Sequence, residues 1–520
     1  MTAQPNFLFF ITDQHRADWL GCMGHPVVKT PNIDAIAEIG TKFTDFHVAS
    51  PVCMPNRGAL MTGRMPSVNR LRYNGCPLPA ATNTFVDVLS KSGYRTASIG
   101  KSHLQPFTDD APYRPPQPKG QVIAEAWKSD GADYGKESPA RYKSDEFYDF
   151  PKPYYGFEHV DMVTGHGDRC GGHYQQWLRQ NCSDWQFLTN PKNELPHEYS
   201  CPQAYRTPIP EEFYPTTWIG DRAIDFLNSM SKHDVPFFSF VSFPDPHHPF
   251  NPPGRYWDMY SPKQFDLLSQ FDQNNSLIPP LEYLSDRLAK GLSGESKQSA
   301  FRASETHLKE AMALTAGMIS MIDDQIGRVI AALKANGQFE NTVIIFTADH
   351  GDYLGDFGML LKGPMPFRSI TRVPMIWSDP RLRTQQTSDA LASTIDVSAT
   401  ILDRVGAAPY NGLQGKSFLH CLKENASHRD KLLIESNDPM PRCGFEAPAR
   451  VRTLLTKKFR LSCYQGQDWG ELYDLLADPE ERKNLWNTRE YANLKSDLAF
   501  QLIDQLIDQM DKSPLTERLA

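Results

Sequence analysis

Four stretches of this sequence end an apolar run in side chains able to bind a metal or move a proton. Asn6-Phe7-Leu8-Phe9-Phe10-Ile11-Thr12 runs into Asp13 and Gln14, and Tyr94–Ile99 runs into Gly100-Lys101-Ser102-His103-Leu104. Pro236–Phe243 precedes Asp245-Pro246-His247-His248-Pro249, and Thr342–Thr347 precedes Ala348-Asp349-His350-Gly351. Carboxylate, amide and imidazole are ligands for a divalent cation, and an imidazole exchanges protons near neutrality. A fifth stretch, Val52-Cys53-Met54-Pro55-Asn56-Arg57, holds a cysteine able to act as a nucleophile. Each has a plainer reading beside the chemical one. Asp13 can cap the following helix, Lys101 and His103 can be two solvated residues, and Cys53 can be a small buried residue in a turn.

The elements that must position these residues follow from hydrophobic patterning. Continuous apolar runs suit strands of a parallel sheet covered on both faces, and ligands of such sheets gather beyond the strands' carboxyl ends. The sequence predicts strands at 6–12, 41–49, 94–99, 236–243, 342–347 and 373–377, the second delivering the Cys53 loop. Helices are predicted from Pro31, over Thr84–Ser92, over Phe213–Met230, and along 308–333. In the last, Leu308, Ala311, Met312, Thr315, Met318, Ile319, Ile322 and Ile326 recur at helical spacing and read as core. The pattern turns helical after Arg57, which puts a helix N-terminus just behind Cys53 and favours an anionic oxygen there. A period of two sets Lys101 and His103 on one side of an extended segment.

Composition narrows the function classes. The chain has 520 residues, 40% of them hydrophobic and 22% charged, with a formal net charge of −8. That is a globular composition, long enough for a large domain and a smaller one, and it offers no field to attract nucleic acid. Nine cysteines without C-x-x-C spacing argue against a zinc ribbon or a disulfide framework. Cys170 and Cys182 are the local pair able to bridge, with free thiols the general expectation. No apolar run has the length of a membrane span or signal core, so the expectation is a cytoplasmic protein with no membrane partner.

Taken together these stretches resemble the motifs of type I sulfatases, in the alkaline phosphatase superfamily. Cys53-Met54-Pro55-Asn56-Arg57 with Thr62-Gly63-Arg64 matches C-x-P-x-R and T-G-R. Gly100-Lys101-Ser102-His103-Leu104 matches G-K-x-H-L, and Pro246-His247-His248-Pro249 matches P-H-x-P. Lys362 falls where the family carries a lysine, and Glu471-Leu472-Tyr473-Asp474-Leu475, Asp478-Pro479-Glu480 and Asn484-Leu485 match its C-terminal pattern. The resemblance spans residues 6–104, 236–250 and 308–487 in order.

It implies an α/β fold, with a mixed, largely parallel sheet between helices and a smaller C-terminal α+β domain. It also implies oxidation of Cys53 to formylglycine by a formylglycine-generating enzyme. One hydroxyl of the hydrated aldehyde then attacks the sulfur of a sulfate monoester, and the other loses its proton as sulfate is expelled. Asp13, Gln14, Asp349 and His350, with residue 53, map onto the metal ligands, for which Ca2+ is expected and Mn2+ is the alternative. Arg57, Lys101 and Lys362 would neutralise the sulfate, His103 would accept the second hydroxyl's proton, and His247 with Lys362 would protonate the leaving alcohol. His248 stands beside His247 as a claimant to its role. Gln14, His350 and Asn74 look like the arrangement in phosphonate monoester hydrolases, where Asn74 would touch substrate.

The expected division is a catalytic domain over 1–425, with a substrate-entrance insertion over 105–235, and a C-terminal subdomain over 426–520. Val451–Lys457 and Phe459–Cys463 alternate like a hairpin, and the helical tail after Tyr491 offers packing on its own domain or a homo-oligomer contact. Within the insertion His166, Arg169, His173 and Tyr174 are candidate substrate contacts. Rival readings are a phosphonate monoester or phosphodiester hydrolase, a non-catalytic binding protein on the same scaffold, and a hydrolase using unmodified Cys53.

Overall fold

The first strand, β1 (Asn6–Thr12), is buried along its whole length in the computed structural model, which describes residues 4–114, 120–267, 278–294, 298–424 and 426–518. Its side chains divide by the period of two. Phe7, Phe9 and Ile11 enter one hydrophobic cluster and Leu8 and Phe10 the other, as a strand covered by helices on both faces must.

Eight further strands complete this sheet: β2 (Thr41–Phe43), β3 (Arg95–Gly100), β4 (His159–Thr164), β5 (Gly171–Gly172), β6 (Phe237–Phe243), β7 (Thr342–Ala348), β8 (Met375–Ser378) and β9 (Gln386–Ser388), in the order β9-β2-β8-β7-β1-β6-β3-β4-β5. The run β7-β1-β6-β3-β4 is parallel throughout, while β8 is antiparallel to β7 and β2, and β5 is antiparallel to β4. The mixed, largely parallel sheet is therefore observed.

Helices cover both faces. On one, the Glu305–Ala335 helix buries Leu308, Ala311, Met318, Ile319 and Ile322 beside the Pro215–Met230 helix. On the other lie Phe85–Lys91, capped by Thr84 and Asp87, and Ile395–Val405.

Two expectations need correction. The strand expected over 41–49 is broken. Thr41–Phe43 joins the large sheet, whereas Phe46–His47 pairs with Ala392–Ser393 in a separate ladder. Asp45 interrupts the run, a poor strand residue whose carboxylate instead meets His47 Nε2 at 2.9 Å. The weakly periodic 105–235 stretch also supplies β4 and β5, so it extends the sheet as well as covering its rim.

The smaller C-terminal domain holds an antiparallel sheet of β10 (Lys431–Asn437), β11 (Arg450–Thr456), β12 (Phe459–Tyr464) and β13 (Gly470–Asp474). The expected hairpin is β11–β12. The terminal helix Ala492–Asp508 buries Leu498 and Leu502 with Leu454, Leu461 and Leu472, and leaves Phe500, Ile503 and Ile507 exposed. Arg460 on β12 is fully buried between the carboxylates of Glu471 and Glu481, with Ser462 Oγ 2.7 Å from Nη1. The expected boundary at residue 425 lies outside the described residues. All nine cysteines are free thiols, Cys170 and Cys182 included. Among the described residues no helix is long and apolar enough to cross a membrane.

Candidate active site

Register brings the carboxyl ends of five parallel strands level. Thr12 pairs with both Phe243 and Ala348, and Gly100 with both Ser242 and Met162. The loops that follow therefore open on one rim: Asp13 and Gln14 after β1, Lys101 after β3, His166 after β4, His247 and His248 after β6, and Asp349 and His350 after β7. This is where open α/β sheets bind ligands.

The Cys53 helix, Cys53–Thr62, enters that rim fully buried. It starts at Cys53 itself, earlier than expected, so Arg57 lies one turn inside it and on the same face. Val52 at the N-cap has no capping side chain. Asn74 Oδ1 instead accepts the Met54 N–H at 3.1 Å, which puts Asn74 beside the cysteine. Asn56 fixes the helix from behind: its Oδ1 accepts from Thr394 Oγ1 at 2.7 Å, and its Nδ2 donates to the Asp349 carbonyl at 2.6 Å.

Arg57 ties the strand ends together. Its Nε donates to Asp349 Oδ2 at 2.7 Å, and its Nη1 to the Lys101 carbonyl at 2.8 Å and Ser242 Oγ at 2.9 Å. Its Nη2 lies 3.7 Å from Asp13 Oδ2 and is a buried donor with no hydrogen-bond partner. Lys101 Nζ pairs with Asp13 and stands 2.7 Å from His166 Nε2. Burial pushes the Asp13 carboxyl up, but Lys101 and His247 outweigh it and hold the group well below the usual carboxylate range.

Asp13, Cys53, Asp349 and His350 form a cluster of four buried residues, with one ligand atom from each within 4.8 Å of the others. His350 Nδ1 donates to the Gly351 carbonyl at 2.8 Å, so Nε2 is the nitrogen left to offer a lone pair. That atom lies 3.0 Å from Cys53 Sγ and 3.4 Å from Asp13 Oδ1. Burial and Lys362 lower the His350 pKa, but Asp349 and Cys53 leave it raised. Burial and Asp13 push the Cys53 thiol up, yet Lys362, His350 and Lys101 hold it below its ordinary value. Two carboxylates, an imidazole lone pair and residue 53 converging in a buried site fit a divalent cation. Gln14 lies at the same rim with its amide engaged, Oε1 accepting from Lys362 Nζ at 2.9 Å and Nε2 donating to Asp352 at 2.6 Å.

The remaining candidates surround this cluster. His247 Nδ1 donates to the His248 carbonyl at 2.6 Å, and its Nε2 lies 3.0 Å from Lys362 Nζ. His248 sits on Gln14 Nε2 at 3.2 Å, so both histidines face the rim and His247 is the one on the lysine. Burial, then His166, His248 and Lys362, depress the His247 pKa far below the ordinary imidazole value.

The extended geometry expected for Lys101 and His103 is not observed. Gly100 has φ 100° and His103 φ 55°, and a side chain at Gly100 would meet the Ser242 carbonyl at 2.0 Å. The turned loop is held by buried Glu137, whose carboxylate accepts the N–H groups of His103, Leu104 and Gln105 at 3.0, 2.9 and 3.1 Å. The His103 ring stacks on Phe107 at 3.9 Å, and its Nδ1 is buried without a partner.

Of the four candidates in the 105–235 stretch only His166 reaches the rim, stacked on His247 at 3.6 Å. Arg169 lies over the Tyr205 ring, His173 accepts the Met162 N–H at 3.0 Å, and Tyr174 is core. Glu137, Ser242 and Asp352 carry no sequence motif, and each supports the rim through tertiary contacts.

The family model described as Sulfatase matches residues 5–407, and one described as N-sulphoglucosamine sulphohydrolase, C-terminal, matches 355–509. The chain is similar to an arylsulfatase of Clostridium perfringens (strain 13 / Type A), 27% identical, covering 97% of this chain and 94% of the relative. It is also similar to an N-acetylglucosamine-6-O-sulfatase of Bacteroides thetaiotaomicron, 24% identical, covering 97% and 86%. Among solved structures, a phosphonate monoester hydrolase of Agrobacterium radiobacter shares the fold with a TM-score of 0.77 at 24% identity, covering 99% of this chain and 98% of that one.

Proposed function

The chain belongs to the sulfatase family and hydrolyses a sulfate ester, and from that premise we propose how its own residues do so. Residue 53, converted to formylglycine by a maturation enzyme, is the nucleophile. Asp13, Asp349, His350 and residue 53, with Gln14 at the edge, would hold a divalent cation, Ca2+ first and Mn2+ second. The observation that carries this reading is the buried cluster of Asp13, Cys53, Asp349 and His350, ringed by three cationic side chains. The cation supplies Lewis acidity and a lowered hydroxyl pKa when bound, and the hydrated aldehyde supplies the attacking hydroxyl.

The side chains do the rest. Arg57 presents its unpartnered Nη2 to the sulfate oxygens, and Lys101 and Lys362 add charge where the anion develops. His103, held neutral by burial and by Lys101, is ready to take a proton on its ring. His247 is also neutral and faces the Lys362 ammonium, so the proton delivered to the leaving alcohol is one that Lys362 donates and His247 directs.

Mass spectrometry of the tryptic peptide containing residue 53, from protein made with an active formylglycine-generating enzyme, tests the nucleophile. Conversion to formylglycine that tracks sulfate-ester turnover across preparations is expected. Full turnover from a chain with unmodified Cys53 refutes it.

A second reading, hydrolysis of phosphonate monoesters, is favoured by Gln14, His350 and Asn74 about residue 53. Against it, Lys101 and His103 are the pair that resembles sulfatases. Turnover of 4-nitrophenyl sulfate is expected to exceed that of a phenylphosphonate ester, and the opposite preference reverses the two readings.

A further inference from the structure

Outside the catalytic rim, His420, Cys421 and His428 each bring a ligand atom within 4.8 Å of the other two. His420 and Cys421 lie in the short 3-10 turn Leu419–Leu422, and His428 stands on the segment leading into β10. The two rings have centroids 5.4 Å apart. Cys421 is buried, and the His428 side chain is only 2% exposed.

The hydrogen bonds decide which ring nitrogens are available. His420 Nε2 lies 3.2 Å from the Ser427 carbonyl, and His428 Nε2 lies 3.2 Å from an Asp396 carboxylate oxygen. Both partners are acceptors, so each Nε2 carries a hydrogen, and Nδ1 is the ring nitrogen left to offer a lone pair to a metal. Ligating imidazoles are ordinarily oriented this way, with the far N–H fixed on a carboxylate or carbonyl. Asp396 is itself held by several donors. It is paired with Arg429 through Nε at 2.8 Å and Nη2, and accepts the Ser393 and Lys416 N–H groups at 3.0 and 2.8 Å. The Cys421 thiol donates to the Ala426 carbonyl at 3.4 Å.

We propose that His420, Cys421 and His428 form a second metal site, selective for a zinc-class divalent cation, with water in the fourth position. Two imidazoles and a thiolate suit zinc, cobalt or nickel and suit calcium poorly, so this site and the oxygen-rich rim prefer different ions. Binding forms a metal–sulfur bond and releases the thiol proton to solvent, with no change of oxidation state. Occupancy clamps the turn to the β10 segment, and through Asp396 clamps both to the Ile395–Val405 helix on the large sheet. The ion is a staple at the junction with the C-terminal sheet.

The test uses the full chain carrying Cys53→Ser, so that the thiol at the rim contributes nothing. Co2+ added to the metal-free protein is expected to give a thiolate-to-cobalt charge-transfer band saturating at about one ion per chain. Zn2+ should abolish the band, and Cys53→Ser/Cys421→Ser should lack it while melting at the same temperature in EDTA. His420→Asn, at an exposed position, should weaken the cobalt affinity at least about tenfold and covers the case in which the double variant does not fold. No band at saturating Co2+, or a band that survives Cys421→Ser, overturns the site. Since the readout is spectroscopic and the nucleophile is absent, neither result bears on the catalytic reading.

Discussion

Glu137 offers the sharpest test of how the rim is held, because every group around its carboxylate is a donor. Oε2 accepts the His103 N–H, while Oε1 accepts from Leu104, Gln105 and the Tyr154 hydroxyl. Glu137→Gln keeps the shape but turns one oxygen into an NH2 group, which must face a donor. The smaller loss places that group against His103 and leaves one buried N–H without its acceptor, worth about 1–3 kcal/mol. It falls on a residue already held at φ 55°, where a non-glycine backbone costs about 1–2 kcal/mol and relaxes once released. If about 2 kcal/mol is expressed in the transition state, kcat/KM for a sulfate ester falls about 30-fold. The assay is steady-state turnover of 4-nitrophenyl sulfate by Glu137→Gln, His103→Asn and the double variant. Because Glu137 acts through His103, the double variant should be little worse than His103→Asn alone. Wild-type kcat/KM in Glu137→Gln, or fully additive losses, refutes the reasoning.

Two further outcomes concern stability. Arg460→Met leaves Glu471 and Glu481 buried without their cation. It should cost about 3–5 kcal/mol in denaturant unfolding, and a change under about 1 kcal/mol would refute that. Burial pushes the Asp245 carboxyl up to about 7, with Thr216 pulling it down less than burial raises it. A raised folded-state pKa means that the folded chain holds the proton more tightly, so this contribution is intact at low pH and is lost as pH rises through about 7. Asp245→Asn should remove up to about 1.4 kcal/mol per pH unit of that decline between about pH 4 and about pH 7, and an unaltered pH slope across that range in calorimetry would contradict it.

The strands carrying Asp13, His247 and Asp349 were legible because a strand buried on both faces is written as an unbroken apolar run. His159–Thr164 was not, since it is six residues set in a long Pro-, Tyr- and Asp-rich stretch, and its partner β3 lies far back in the chain. His166 was visible as one of four candidates, but only β4 explains why it, and not His173, reaches Lys101. The turn at His103 misled the period-of-two argument. Gly100 was the available cue, a glycine whose missing side chain leaves room for the Ser242 carbonyl. Glu137 gave no signal at all, because a carboxylate that receives three backbone N–H groups from 32 to 34 residues away looks like any other glutamate in the sequence.

The position of Cys53 also sets an order of events in the life of the molecule. Its side chain is 1% exposed, it is the first residue of a helix buried along its entire length, and Asn74 and Asn56 brace that helix from two sides. A substrate needs only its sulfate to come near this atom, but another enzyme must seat several residues of peptide on either side of it. In the finished fold those residues are already inside. If residue 53 is converted by a maturation enzyme, as proposed, that enzyme must therefore meet the chain while this segment is still unwound. Folding closes that opportunity, and a chain that folds first keeps its thiol.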